Sequence, residues 1–256
     1  MPQNPWGVLG SLLIGVVFSC GELHAAQGQV MRVLVMESKQ LRFRADGDKP
    51  LLVKGISGNQ LRVSTLKIRQ KNNQFQIGLN DRSNRWFGFP VKAMLNISSR
   101  DSRGIWLGKR RYRGELRVYV RDGQLKVVNH LGLEKYLVSV VGSEMPKSWP
   151  MAALKAQAIA ARTYAMQQMG KRRFYDVNST EAHQVYLGLE SETKSTRKAV
   201  ISTRSLVLTH KGKLIDAVFH SSSGGLTESS GAVWKRQMPY LVSVPDYDQH
   251  SPSYQW

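Results

Sequence analysis

The chain has 256 residues, enough for one large domain or two small ones, and its 41% hydrophobic and 21% charged residues exclude an intrinsically disordered protein. Lys and Arg outnumber Asp and Glu by 37 to 18, so the formal net charge is +19. Such a surface attracts polyanions, and nucleic acid, anionic lipid and anionic cell-wall polymer all qualify. The single cysteine, Cys20, excludes an internal disulfide and a cysteine-based metal site.

Residues 1–26 are predicted to be a signal peptide or an N-terminal anchor. Residues 8–18 are apolar, of signal-peptide length, and too few to span a bilayer. Small residues at 25–26 offer a cleavage region, and Cys20 lies in an imperfect lipoprotein box, so lipidation and an uncleaved membrane anchor are alternatives. We expect an exported protein of the periplasm or cell wall, where a mature chain without cysteine suits the oxidising conditions.

The next region, residues 27–110, is predicted to be basic and β-rich. Short runs rich in β-branched residues predict strands at 31–36, 50–56, 59–70 and 73–79, and Asp122-Gly123 predicts a hairpin within 112–129. Residues 31–126 contain 22 of the 37 basic residues but 7 of the 18 acidic ones. This half is therefore expected to face a polyanion, unless its cations are spread over a solvated surface without converging.

The second half of the chain has helical patterns. Residues 133–141 predict a short helix that ends at Gly142, and Pro150 begins a longer helix that stops at Gly170. Alanine fills seven of the 19 positions from 151 to 169, which favours a slim, closely packed helix. With strands expected at 205–209 and 214–219, the fold class is α+β, and residues 111–256 are expected to form the second domain.

Two cations lie on the longer helix. Lys155 and Arg162 are seven residues apart and therefore share one stripe of its surface. Like charges on a buried stripe are unfavourable unless an anion meets them, so the pair indicates an anionic ligand or an escape to water at the helix edge.

Glu144 stands between the two predicted helices. Pro146 favours an extended Met145, so Glu144 is expected in a fixed loop, and a partly dry cleft there would help its carboxyl keep a proton.

Residues 219–227, FHSSSGGLT, offer hydroxyl donors and glycines, and are expected to form a flexible loop. No G-x-S-x-G elbow supports a Ser–His hydrolase, and no His pair has metal-ligand spacing.

The stretch LEKYLVSVVGSEMPKSWPMAALKAQAIAARTYA, residues 133–165, resembles the signature of the SpoIID/LytB family. The similarity continues in order from the hairpin at 112 through QVYLG, FHSSSGGLT and MPYL. Family members that are enzymes are lytic transglycosylases, which cut the MurNAc–GlcNAc bond of peptidoglycan and leave a 1,6-anhydro end. The resemblance therefore implies an α+β domain with a glycan-binding cleft.

The resemblance also implies roles for individual residues. Glu144, in the S-E-M-P motif, is the implied general acid and base. The residues implied to line the glycan cleft are Lys155, Arg162, His220, Ser222, Ser223, Gln157 and Tyr186. Some relatives bind zinc through a Cys/His cluster whose cysteines this chain lacks, so neither metal nor cofactor is expected. Relatives commonly continue past the position of Trp256, so the C-terminal side of the cleft is expected to be truncated or to close early.

One carboxyl group suffices for this chemistry, because the C6 hydroxyl of the sugar replaces the attacking water of an ordinary glycosidase. The expected partners are peptidoglycan glycan strands and, in the alternative below, a cell-wall amidase. The strands are expected to be peptide-free, because only these expose the lactyl carboxylate of MurNAc that Lys155 and Arg162 could hold. The alternative within the family is a non-catalytic enhancer of an N-acetylmuramoyl-L-alanine amidase. A nucleic-acid-binding module at 31–128 is disfavoured by export and by the absence of a recognisable motif.

Overall fold

The computed structural model describes residues 28–57, 59–71, 74–80, 85–89, 94–251 and 254. The predicted signal peptide, with Cys20, lies outside the described residues. Strands dominate the first half and helices follow, which confirms the α+β class. The strands are β1 (Val30–Ser38), β2 (Gln40–Ala45), β3 (Leu51–Ser57), β4 (Asn59–Val63), β5 (Thr65–Lys71), β6 (Gln74–Leu79), β7 (Phe87–Phe89), β8 (Leu95–Ser99), β9 (Ile105–Leu107), β10 (Arg110–Tyr112), β11 (Glu115–Arg121), β12 (Gln124–Gly132), β13 (Val177–Asn178), β14 (Thr209–His210) and β15 (Lys213–Leu214).

Two larger sheets organise the strands. A seven-stranded sheet has the order β13-β1-β12-β11-β8-β3-β4, and a six-stranded sheet has the order β10-β9-β2-β5-β6-β7. The chain passes between the sheets at Lys39, between β1 and β2, and at Ser64, between β4 and β5. The single strand predicted at 59–70 is therefore wrong, because Ser64 divides it into two strands that belong to different sheets.

The predicted hairpin is confirmed. Strands β11 and β12 pair antiparallel, with Arg121 opposite Gln124. The turn residues Asp122 and Gly123 both have positive φ, 52° and 71°, which is the backbone conformation that a tight two-residue hairpin turn requires.

The seven-stranded sheet runs across the predicted domain boundary at 110/111. Strand β1 pairs with β12 from Val30 opposite Gly132 to Ser38 opposite Leu125, and β8 pairs with β11. One hydrophobic cluster also contains buried side chains from both sides of the boundary. The first half of the chain thus extends the same sheet and shares the same core as the second.

Four α-helices and a 3₁₀ helix follow the hairpin: α1 (Leu133–Glu144), α2 (Met151–Gln168), the 3₁₀ helix (Gly188–Ser191), α3 (Lys194–Ser202) and α4 (Ser230–Trp234). The prediction of the longer helix is confirmed by α2. The predicted end of the first helix at Gly142 is wrong, because α1 continues to Glu144. A Cβ on Gly142 would lie 2.0 Å from the carbonyl oxygen of Ser191, so this glycine lets α1 pack against the 3₁₀ helix. In the described part of the chain, no helix is long and apolar enough to cross a membrane.

The strands predicted at 205–209 and 214–219 are largely absent from the described structure. After α3 the chain turns, with Ser205 at φ 65°, a left-handed conformation that does not fit a strand. Only the two-residue strands β14 and β15 form there, paired around the turn at Lys211 and Gly212. Beyond β15 the chain bends again, since the Val218 N–H donates to the carbonyl oxygen of Asp216 at 2.9 Å.

Candidate functional site

Glu144 is the last residue of α1 rather than a loop residue. The next residue, Met145, is extended at φ −130° and ψ 145°, as Pro146 predicts. The Glu144 side chain is half-buried, and its Oε1 accepts a hydrogen bond from the backbone N–H of Val185 at 2.6 Å. The carboxyl group is thus fixed by a backbone donor at the point where α1 ends.

Burial raises the pKa of Glu144 above its ordinary value. The hydrogen bond from the Val185 N–H opposes this effect because it stabilises the carboxylate, and the negative charge of exposed Glu181 adds to the increase in pKa. The balance favours a carboxyl group that holds its proton more tightly than a solvated glutamate does. A group of this kind can serve as a general acid.

A buried amide fixes the loop that carries the Val185 N–H. The side chain of Gln184 is fully buried and lies between the two long helices. Its Oε1 accepts from the Tyr136 hydroxyl of α1 at 3.0 Å, and its Nε2 donates to the Ala161 carbonyl of α2 at 3.2 Å. Gln184 therefore ties the loop to both helices, one residue before the N–H that reaches Glu144.

Tyr186 anchors the other side of the same loop. Its ring is 1% exposed and lies 5.2 Å, centroid to centroid, from the ring of Tyr136. Its hydroxyl donates to Asn129 Oδ1 at 2.8 Å, and the amide of Asn129 donates to the carbonyl oxygens of Arg113 and Glu115. The prediction that Tyr186 lines the glycan cleft does not fit this geometry, because a buried ring with a satisfied hydroxyl positions the loop and does not face a ligand.

The contacts of Arg162 also differ from its predicted role in lining the glycan cleft. Its side chain is 0% exposed, and its Nε and Nη2 atoms each lie 2.9 Å from the Glu134 carboxylate in α1. The guanidinium further donates to the carbonyl oxygens of Val200 and Leu206. Because its donors are taken by internal partners, Arg162 cross-links α1, α2 and the end of α3, and its buried guanidinium neither reaches water nor keeps a free donor for a glycan.

Lys155 remains available to a ligand. It is half-buried on α2, and it has no hydrogen-bond or ion-pair partner within the part of the chain that the structure describes. The Glu134–Arg162 pair and the short connection show that α1 and α2 are antiparallel. Lys155 precedes Arg162 by seven residues, which is about 10 Å along α2. Lys155 therefore lies level with the last turn of α1. The unpaired ammonium and Glu144 therefore lie towards the same end of the helix pair.

Gln157 lies on α2 and is half-buried. Its Nε2 is shielded from solvent and has no hydrogen-bond partner among the described residues. An unpaired buried donor is unfavourable, so Gln157 has hydrogen-bonding capacity to offer a ligand.

The FHSSSGGLT segment surrounds a carboxylate of the chain itself. Asp248 accepts from the Ser222 hydroxyl and from the backbone N–H groups of Ser223, Gly224 and Gly225, while the Ser223 hydroxyl donates to Asp246 at 2.9 Å. The Ser222 hydroxyl, followed by the backbone donors, lowers the pKa of Asp248 to about 2. The segment expected to be a flexible loop thus forms an ordered ring of hydrogen-bond donors around the Asp248 carboxylate.

The roles predicted for this segment are not supported by its contacts. Ser222 and Ser223 bind internal carboxylates, and no hydrogen bond or ion pair of the described chain joins the segment to Glu144 or Lys155. His220 is exposed, which leaves it free to meet a ligand. The described residues contain no group of three or more His, Cys, Asp or Glu side chains arranged to hold a metal ion.

Several contributors to the site carry no signal in the sequence alone. The Val185 donor is a backbone group, and Gln184 acts through partners 48 and 23 residues away. Glu181 acts on Glu144 through its charge. The QVYLG motif marks the segment, but only the packing of α1 against α2 reveals what the segment does.

Residues 121–210 match the model of the stage II sporulation protein family, SpoIID. Residues 121–210 are therefore similar to the family that the motifs imply, and the matched residues include Glu144, Gln157, Lys155, Arg162 and Tyr186.

Individual relatives agree with this family. The chain is 46% identical over 110 residues to the amidase enhancer of Bacillus subtilis, covering 43% of this chain and 15% of that protein. It is 37% identical over 145 residues to stage II sporulation protein D of the same organism, covering 50% of this chain and 42% of that protein. An uncharacterized protein of Brachyspira hyodysenteriae is 40% identical over 144 residues, covering 55% of this chain and 39% of that protein. The chain thus spans less than half the length of each of these relatives.

Proposed function

We propose that this protein is an exported peptidoglycan lytic transglycosylase, with Glu144 as both general acid and general base. The observation that carries the proposal is the half-buried Glu144 carboxyl, whose pKa burial raises, towards the same end of the helix pair as the unpaired Lys155. The similarity of residues 121–210 to the SpoIID family and the names of two relatives, an amidase enhancer and a sporulation protein, support a role related to the cell wall.

The reaction needs one carboxyl group. Protonated Glu144 donates its proton to the oxygen that links MurNAc C1 to GlcNAc, and the C1–O bond breaks. The C6 hydroxyl oxygen of the same MurNAc bonds to C1, and the Glu144 carboxylate accepts the proton that this hydroxyl loses. The products are a free GlcNAc hydroxyl and a 1,6-anhydro end, with no water consumed and Glu144 protonated again.

The surroundings of Glu144 fit this single-carboxyl mechanism. An ordinary glycosidase needs a second carboxyl group on the other side of the bond. Asp176 is buried and held by Arg32 at 2.6 Å, so it is structural. Glu181 is the acidic residue whose charge acts on Glu144, which makes it one candidate for activating water if hydrolysis occurred.

Lys155 provides a basis for substrate choice. A glycan strand without peptides exposes the lactyl carboxylate of each MurNAc, and an unpaired, half-buried ammonium can bind it in a charge-assisted contact. Since Arg162 is engaged with Glu134, only Lys155 of the predicted pair remains available to bind the lactyl carboxylate. The preferred substrate is therefore a peptide-free glycan strand.

A second candidate function is supported by one relative. The amidase enhancer of Bacillus subtilis is 46% identical over the matched residues. A non-catalytic enhancer of an N-acetylmuramoyl-L-alanine amidase would keep the fold and a glycan cleft, but would not depend on the proton of Glu144.

Digestion of purified peptide-free glycan strands, followed by mass spectrometry, tests the proposal. The parent should release products with 1,6-anhydro ends, one water lighter than hydrolysed ends. Glu144→Gln should reduce cleavage by about 10²-fold or more, the usual share of general acid–base catalysis. The matched control is Glu228→Gln, an exposed change with the same chemistry, which should cleave normally. Cleavage by Glu144→Gln at the parent rate would overturn the role of Glu144, and absence of cleavage by the parent would transfer the assignment to the amidase-enhancer function.

A further inference from the structure

A cavity of about 470 Å³ lies beside α3 and is rich in cations. The lining includes Arg103, Arg111, Arg113, Lys194 and Arg197, together with the acidic Glu192. Three of these cations belong to the basic first half of the chain and two to α3. The cavity is therefore a place where the surplus positive charge of the first half converges with a helix of the SpoIID domain.

The carboxylates that hold Arg103, Arg113 and Arg197 lie deeper than these arginines do, whereas Glu190 and Arg111 are similarly exposed, at 33% and 30%. The side chain of Arg103 is 52% exposed while that of its partner Asp101 is 7% exposed. Arg113 and Arg197 are 30% and 51% exposed, and their shared partner Glu192 is 10% exposed. Positive charge thus faces outwards over buried negative charge, so an approaching ligand meets the cations first.

The arginines are also held in fixed orientations. Glu192 Oε2 lies 3.2 Å from Arg113 Nη2 and 2.8 Å from Arg197 Nη2, and Arg113 Nη1 donates to the Ser102 carbonyl at 2.7 Å. A guanidinium has five N–H donors, so these contacts fix it without using all of them. Lys194 is exposed and has no partner among the described residues, which leaves its charge uncompensated. Pre-oriented guanidinium groups are well suited to carboxylate and phosphate oxygens.

The cavity lies close to the end of α1 that carries Glu144. Glu192 follows Ser191, whose carbonyl oxygen packs against Gly142 in the last turn of α1. The Ser195 hydroxyl donates to the carbonyl of Lys147 at 3.4 Å, just beyond Glu144 in the chain. A polymer bound in the cavity would therefore lie near the candidate catalytic end of the helix pair.

We propose that this cavity binds an oxyanion, carboxylate or phosphate, carried on an acidic cell-wall polymer. The oxyanion chemistry follows from the cavity alone, and only the choice of a cell-wall polymer rests on the proposed function. The carboxylate source is the lactyl group of a peptide-free glycan strand, and the phosphate source is a poly(glycerol phosphate) chain.

The test is a binding measurement on the full chain carrying Glu144→Gln, so that no strand is cut. The probes are peptide-free glycan strands, the same strands with their lactyl groups amidated, and poly(glycerol phosphate). The double variant Lys194→Gln and Arg197→Gln removes two cavity charges and leaves Arg113 to hold Glu192. The control is Lys198→Gln with Arg204→Gln, which removes two exposed charges that do not line the cavity.

The cavity variant should weaken binding of the recognised polymer by about tenfold or more, because it removes charge-assisted contacts. The control should change binding by less than about twofold, as expected for exposed charges that act only through screened, long-range attraction. A loss confined to the unmodified glycan identifies the carboxylate source, and a loss on poly(glycerol phosphate) identifies the phosphate source. Equal losses in the two double variants, or no binding of any probe by the parent, would overturn the proposal. Because binding is measured in the Glu144→Gln background, it stands or falls independently of strand cleavage.

Discussion

Glu144 is placed to make both activity and stability depend on pH. Its pKa in the folded protein is raised above the ordinary value of 4.5, so folding favours the protonated form. The stability from this group is fully present below its unfolded pKa and is lost as pH rises through the folded pKa. Glu144→Gln removes that loss, so urea unfolding should show the variant gaining stability relative to the parent as pH rises from acid to neutral.

Strand cleavage should follow the same titration. A general acid must be protonated, so turnover should fall as pH rises above the pKa of Glu144. Glu181→Gln removes a nearby negative charge that helps to raise this pKa, and the fall should then begin at lower pH. An unchanged profile in Glu181→Gln, or a relative stability of Glu144→Gln that does not vary with pH, would contradict the assignment.

Arg162 should be essential to the fold and not to recognition. Arg162→Ala leaves Glu134 without its partner in a site where the arginine is 0% exposed, and breaking a buried pair costs about 3–5 kcal/mol. Urea unfolding should show a loss of this size. Lys155→Ala, on the same helix stripe, should keep parent stability and lose turnover on strands with free lactyl carboxylates. A stable Arg162→Ala with selective loss on those strands would show instead that Arg162 binds substrate.

Lys155 and Arg162 show which properties of a single residue can be predicted from the sequence and which cannot. The seven-residue spacing correctly places Lys155 and Arg162 on one stripe of α2. It cannot tell which of them is covered, because that depends on α3 and on Glu134, which is 28 residues from Arg162 in the chain. Glu144 could be found because its motif is local, whereas its Val185 donor is 41 residues away.

Among the secondary-structure elements, the contact between α1 and the 3₁₀ helix depends on a missing side chain. A Cβ at Gly142 would lie 2.0 Å from the Ser191 carbonyl oxygen, and this close approach involves backbone that cannot rotate away. Gly142→Ala should therefore destabilise the protein by about 1–3 kcal/mol, the usual cost of overpacking, despite the better helix propensity of alanine. Gly132→Ala, where a Cβ would meet no atom within 4 Å, is the control in thermal unfolding. Similar melting of both variants would contradict this packing role.

The loop that carries Val185 should respond to removal of one buried hydroxyl. Tyr136→Phe leaves the buried Gln184 Oε1 without its donor, which costs about 1–3 kcal/mol. A loosened loop also weakens the hydrogen bond that lowers the pKa of Glu144, so the pH limit of turnover should move upwards. Tyr247→Phe removes a hydroxyl from an exposed ring and is the matched control. Loss of stability without movement of the pH limit would show that Tyr136 supports the core and does not position the loop.

Local patterns determine some elements well and others poorly. The alanine-rich helix and the Asp-Gly hairpin could be predicted because propensity and turn chemistry agree within each segment. The change of sheet at Ser64 could not, because a serine flanked by strand-forming residues carries no turn signal. The position of this change of sheet is fixed by a contact between residues 16 apart in the chain, in which the Ser64 N–H and hydroxyl both donate to Asn80 Oδ1.

At the scale of the whole molecule, residues 111–256 should not fold alone. Removing the first half deprives β12 of β1 and β11 of β8, and it removes much of the shared hydrophobic core. We expect this fragment to show no cooperative thermal transition, while the full chain shows one. Cooperative unfolding of the isolated fragment, with native-like hydrogen-exchange protection of β11 and β12, would show that it is an independent domain.

The pairing of β1 with β12 also decides when the molecule can fold. The two strands are on the order of a hundred residues apart in the chain, and native contacts of such high contact order form slowly. While the polypeptide is being synthesised, β1 emerges long before its partner and cannot complete its ladder until residue 132 has followed. The seven-stranded sheet of the nascent chain therefore stays incomplete until β12 has been synthesised, just before the helical segment begins to appear.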